Sequence, residues 1–128
     1  MRIFKNKAFN RWARKTGLTA DDLRNAAKEV ADGNVEGDLG GKVFKKRVAL
    51  NAGKSGGARA IVCYQCGKNI FYVYGYEKNQ RTNIKDDELK ALKELAKTYL
   101  AYSEEELDEM VEDKTLFEIK VKKAKDDG

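Results

Sequence analysis

The 128-residue chain has no histidine and no proline, a single tryptophan, and only two cysteines. Without histidine it lacks the side chain that most often moves protons near neutral pH and most often ligates a metal. Cys63 and Cys66, with no imidazole and no second cysteine pair, fall short of the four ligands of a structural zinc site. A redox C-x-x-C would sit at the start of a helix, where the dipole lowers a thiol pKa. Here the flanks Ala60-Ile61-Val62 and Ile70-Phe71-Tyr72-Val73 read as strands, which makes the pair two reduced thiols at a hairpin end. No apolar run reaches the about eighteen residues that span a bilayer, and no apolar core follows the basic N-terminus as in a secretory signal. The expectation is a cytoplasmic protein with no membrane partner, no metal and no cofactor.

What the chain does have is charge. Charged residues make up 37% and hydrophobic ones 41%, which suits one globular domain with a heavily solvated surface. The net +5 conceals a strong polarity. From Lys42 to Lys85 there are ten bases and one acid, Glu77, a balance of +9. From Asp86 onward there are eight bases and fourteen acids, a balance of −6. Cations interleaved with Tyr64, Phe71, Tyr72, Tyr74 and Tyr76 suit a polyanion whose bases can stack. Nucleic acid is the first partner to consider.

The pattern along the chain predicts an α+β fold. Arg2-Ile3-Phe4 suggests a short edge strand. Phe9, Trp12 and Ala13 recur at helical spacing up to Gly17, and Thr19 caps a second helix. The buried stripe of that helix is Leu23, Ala26, Ala27 and Val30, closed by Asp32-Gly33. Val43 to Leu50, Ala58 to Cys66 and Asn69 to Tyr76 are rich in β-branched and aromatic residues and predict an antiparallel meander. Lys45 and Arg47 share one face of its first strand, with Phe44, Val48 and Leu50 on the other. The expected sheet is therefore a one-sided platform, covered by helices on one face and presenting cations on the other.

Asn83, three residues before Asp86, predicts the start of a third helix with the stripe Leu89, Leu92, Leu95, Ala96, Tyr99 and Leu100. Ser103 to Glu106 forms a capping box for a short acidic helix through about Glu112, and Leu116 to Val121 alternates like a last edge strand. The architecture expected is an N-terminal helical hairpin packed on a small antiparallel sheet, then a C-terminal helix and a short helix/strand extension. It forms one domain over 1–121, with a core at 1–101, an extension at 102–121 and a flexible tail at 122–128.

Gly53-Lys54-Ser55-Gly56-Gly57 resembles a phosphate-cradling loop, since glycines let backbone N–H groups approach an anion. Its spacing is not that of a Walker A loop, and a strand rather than a helix follows. Lys54 in this loop, Arg47 before it and Arg59 after it can converge on one anion. RNA transesterification needs a base for the 2′-OH, an acid for the leaving 5′-oxygen, and cations for the charge that builds on phosphorus. A lysine crowded by arginines, or a tyrosine hydroxyl, could move the protons.

The run Lys45-Lys46-Arg47-Val48, the element Gly53 through Ile61 and the segment Phe71 through Asn79 together resemble the RelE/HigB family of bacterial toxins. The similarity covers Phe9 to about Leu100 and continues, as in one branch of the family, through Ser103 to Ile119. The resemblance implies a ribosome-dependent, metal-independent mRNA endonuclease that enters the ribosomal A site, cuts mRNA and arrests translation. It also implies a cognate antitoxin protein, expected to be of helix-turn-helix type, in a possible toxin–antitoxin hetero-oligomer. Lys45 and Arg47 match the two basic positions of the first meander strand, Arg59 the arginine at the scissile phosphate, and Lys78 the basic turn after the last strand. Asn79 stands where well-studied relatives have an arginine, with Arg81 two residues on, and Lys85 stands near the position of a C-terminal tyrosine.

The expected catalytic set is Lys45, Arg47, Lys54 and Arg59, and the expected RNA-binding set is Lys46, Tyr74, Tyr76, Lys78 and Arg81. Two alternatives stay open. One is a ParE-like toxin that inhibits DNA gyrase without cutting RNA, and the other is a nucleic-acid-binding relic without activity.

Overall fold

The computed structural model describes residues 1–49 and 57–121. Lys54 and most of its glycine loop, and the segment 122–128, lie outside the described residues. The element order is β1 (Ile3–Asn6), α1 (Lys7–Thr16), α2 (Ala20–Ala31), β2 (Gly37–Gly40), β3 (Val43–Val48), β4 (Ala58–Tyr64), β5 (Ile70–Glu77), α3 (Asp86–Ala101), α4 (Glu104–Glu112) and β6 (Leu116–Ile119). The strands form one sheet in the order β2-β3-β4-β5-β1-β6. It is mixed: β1 runs parallel to β5, and the other pairings are antiparallel.

Local chemistry accounts for most boundaries. Asn6 accepts the Phe9 amide proton and starts α1, and Gly17 ends it at φ 88°, a left-handed conformation that costs glycine little. Thr19 and Asp22 form a reciprocal capping box on α2, as Ser103 and Glu106 do on α4. α3 begins at Asp86, not beside Asn83. Lysine has no acceptor to offer as a cap, and the Lys85 amide instead donates to Glu88 Oε1 at 2.9 Å.

Three expectations are corrected here. First, the helical hairpin is not N-terminal, because β1 precedes it and pairs with β5. Second, β1 is no edge strand but lies between β5 and β6. Ile3 faces the α1/α2 side and Phe4 the α3/α4 side, and both are buried. Third, the sheet is not a one-sided platform. On one face Phe9, Ala13, Leu23, Ala27 and Val30 pack on Ala60, Val62 and Tyr72. On the other, Ala96, Tyr99 and Leu107 pack on Val43, Ile61 and Phe71. The run Ala58 to Cys63 is buried throughout, as expected of a central strand covered on both faces. The meander itself is present, with β2 added at its edge beside β3.

The C-terminal elements close the sheet by pairing β6 with β1. Arg2 ties them down: its guanidinium lies 2.8 Å from Glu118, 2.8 Å from Glu104 and 2.9 Å from Asp108, over the Phe4 ring. Hydrogen bonds from Arg2 hold the Glu118 and Glu104 carboxyls below their ordinary value of 4.5. Depressed carboxylates contribute stability above their unfolded pKa and lose it as the pH falls through the folded value. Acid below pH about 4.5 is therefore expected to loosen α4 and β6 before the rest. Amide exchange should show this, and Arg2→Met should flatten the pH dependence. An unchanged slope in Arg2→Met would place the acid sensitivity elsewhere.

Candidate nucleic-acid interface

The site is built by register. Arg47 on β3 lies directly across from Arg59 on β4, which lies across from Tyr76 on β5. One step along, Lys45, Ile61 and Tyr74 form the next row of the same face. α3 covers much of this face, over Phe71, Val43 and Ile61. β2 pairs no further along β3 than Lys45, so exposed Arg47 stands at the sheet's outer edge.

Arg59 is not the loose surface cation that its place after a glycine loop suggests. It is 5% exposed, and its Nε donates to Glu36 Oε1 at 2.7 Å. The same carboxylate lies 3.7 Å from Lys45 Nζ. Partial burial raises the Glu36 carboxyl, but the Arg59 hydrogen bond and the charges of Arg59, Lys45 and Lys78 outweigh it and hold the group below its ordinary value. Glu36 is thus an ionised acid set among the cations, and sequence reasoning missed it. Its only signal was being an acid six residues before the basic stretch.

The other expected residues divide sharply. Lys46 points to the opposite face, pairs with Glu29 of α2 at 2.7 Å and donates to the Asn34 carbonyl at 3.0 Å. At 6% exposed it is a structural cation under α2, so the alternation that puts Lys45 and Arg47 in the site removes it. Arg81 lies over the rings of Tyr74 and Tyr76 and donates to the Tyr74 hydroxyl at 3.0 Å. It also forks onto Glu88, whose carboxyl is brought down to about 2 chiefly by that hydrogen bond. Arg81 therefore ties the β5–α3 connection to α3. Tyr76 is 3% exposed, burial raises its phenol, and its hydroxyl reaches the Thr82 carbonyl at 3.5 Å. Tyr74 is half-buried and Lys78 is exposed. Lys54 lies outside the described residues.

The cysteines sit as expected at the β4–β5 hairpin, Cys63 buried and Cys66 exposed, both free. Burial pushes the Cys63 thiol up to about 12. A native-state titration with a thiol reagent should therefore modify Cys66 at once and Cys63 only after unfolding. Rapid reaction of both thiols would contradict the burial. Among the described residues no three His, Cys, Asp or Glu side chains gather in a way that could hold a metal.

The fold is an α+β sheet in which Arg59 and Lys45 flank the Glu36 carboxylate and Arg47 stands in register with Arg59. The profile of a family described as "RelE toxin of RelE / RelB toxin-antitoxin system" matches residues 1–119. The chain belongs to this family of toxins, the toxic partners of toxin–antitoxin pairs. Among curated proteins, none matches the chain.

Proposed function

We propose that the protein is a ribosome-dependent endoribonuclease that cuts mRNA during translation. The observation that carries this reading is the row Arg47–Arg59, set beside Lys45 and Glu36 on one face of β3 and β4. Two adjacent guanidiniums suit the charge that grows on phosphorus as the 2′-oxygen attacks and the 5′-oxygen leaves. Glu36, ionised and hydrogen-bonded to Arg59, takes the 2′-OH proton, and Lys45 or Lys54 returns one to the 5′-oxygen. The products are a 2′,3′-cyclic phosphate and a 5′-hydroxyl. Lys78 holds the RNA backbone nearby. A cognate antitoxin with an acidic segment covers this face and competes with RNA for it, and opposite charge speeds their encounter.

The test is primer extension on mRNA from cells expressing the chain alone. Cuts confined to translated frames are expected, and a chelator should leave cleavage by the purified protein on ribosomes unchanged. Intact mRNA with stalled replication would overturn the reading in favour of gyrase inhibition.

A further inference from the structure

A second feature lies just around the edge of the sheet from Arg59. β1 pairs with β5 only from Ile70 to Tyr72, and the Asn6 side chain closes the Val73 carbonyl at 3.0 Å. Beyond that point, among the described residues, no strand lies beside Tyr74, Gly75 and Tyr76 on that side. The gap is a cleft of about 280 Å³ between β5 and α1. It is lined by Trp12, Tyr74, Gly75, Tyr76, Gln80 and Arg81, and the Arg81 guanidinium lies over the two tyrosine rings.

Trp12 is held flat. A Cβ on Gly75 would fall 2.2 Å from the indole ring, so the ring lies directly against the glycine backbone. Phe9 braces it from the α1 side, with ring centroids 5.4 Å apart. Arg81 is equally fixed, by Glu88, Tyr74 and the Asn83 carbonyl. The amide of Gln80 is exposed at the rim and carries both donors and an acceptor. A cleft just under the roughly 300–1,000 Å³ of small-ligand sites suits one flat ring system. Stacking surfaces plus a single amide are what a flipped or single-stranded base needs.

We infer that the Trp12–Gly75 cleft binds one nucleobase of the RNA whose phosphate sits at Arg59, and that Gln80 reads which base it is. Tyr76 joins the two places, since its strand neighbour is Arg59 and it is among the residues lining the cleft. Strands lie about 4.8 Å apart, so cleft and phosphate site are within one nucleotide's reach. The inference rests on the RNA-cutting reading for its substrate, but binding can be measured without cleavage.

Trp12 is the only tryptophan, so its fluorescence reports the cleft directly. The probes are 2′-O-methyl trinucleotides of each single base, which cannot transesterify, and a matching abasic trimer. Saturable quenching is expected with all four, one base binding about fivefold or more tighter than the weakest, and little quenching with the abasic trimer. Gln80→Ala, at an exposed turn, should retain quenching while bringing the four affinities within about twofold. Arg59→Lys should weaken all four alike without levelling them. No quenching at millimolar trimer, equal binding of the abasic trimer, or base preference unchanged in Gln80→Ala overturns the inference. Base-selective quenching in a protein that cuts no mRNA would keep the cleft and remove the nuclease. Cleavage without quenching would do the reverse.

Discussion

Arg59→Ala is expected to abolish toxicity, lowering cleavage about 10²- to 10³-fold, the range seen when one donor to developing charge is removed. The same substitution also disturbs the fold. Arg59 and Glu36 side chains are 6% and 34% exposed and 2.7 Å apart, so removing the arginine leaves a partly buried carboxylate to the longer 3.7 Å contact with Lys45. Breaking a fully buried pair costs about 3–5 kcal/mol, and water's access to Glu36 reduces this to about 1–2. The measurement is therefore cleavage by soluble Arg59→Ala alongside its unfolding midpoint. Retained toxicity in a folded variant would remove Arg59 from the chemistry. Loss in Arg47→Ala should be less than additive with it if both guanidiniums hold one phosphate.

Glu36→Gln separates two roles for the carboxylate. A glutamine keeps an acceptor for Arg59 but not a base, so cleavage should fall while the melting temperature changes little. The pH sign follows from the depressed Glu36 carboxyl. Its contribution to stability is present above the ordinary value of 4.5 and is lost as the pH falls through the lower folded value. Glu36→Gln should show no such loss.

Gly75→Val is expected to destabilise the protein by about 3 kcal/mol or more, the upper range of overpacking. The backbone of Gly75 does not have the positive φ that would favour glycine, and valine suits a strand, so the cost is steric. Its side chain would enter the Trp12 ring, which Phe9 holds from behind. Trp12→Ala should also destabilise, by less than the about 3–5 kcal/mol of a fully buried aromatic, because Trp12 is only partly buried. The double variant should be more stable than the sum predicts, because valine occupies the space the indole left. Strict additivity in denaturant unfolding would mean that the contact does not hold the ring.

Arg59 was legible as a candidate phosphate contact because a glycine loop, a basic strand and a resemblance converge on it. Its partner Glu36 was not, because a carboxylate 23 residues away gives no local signal. For Lys46 the obstacle is different: a run of three cations does not say which members face which side until the register is set. Trp12 and Gly75 each look ordinary alone, a core aromatic and a glycine in a strand. Their contact exists only because α1 crosses the end of β5.

The sequence by itself determined the helices, the caps of α2 and α4, the three meander strands, the polarity of charge and the family. All of these depend on residues near one another, where periodicity, capping and turn chemistry act. Only the tertiary structure decided that β1 lies inside the sheet, that helices cover both faces, and that Arg2 fastens the C-terminal elements to the start of the chain. It also decided which cations lie beside Glu36. Each of these rests on pairing between distant segments. That is settled by which faces find burial and which charges find partners, and no local pattern encodes it.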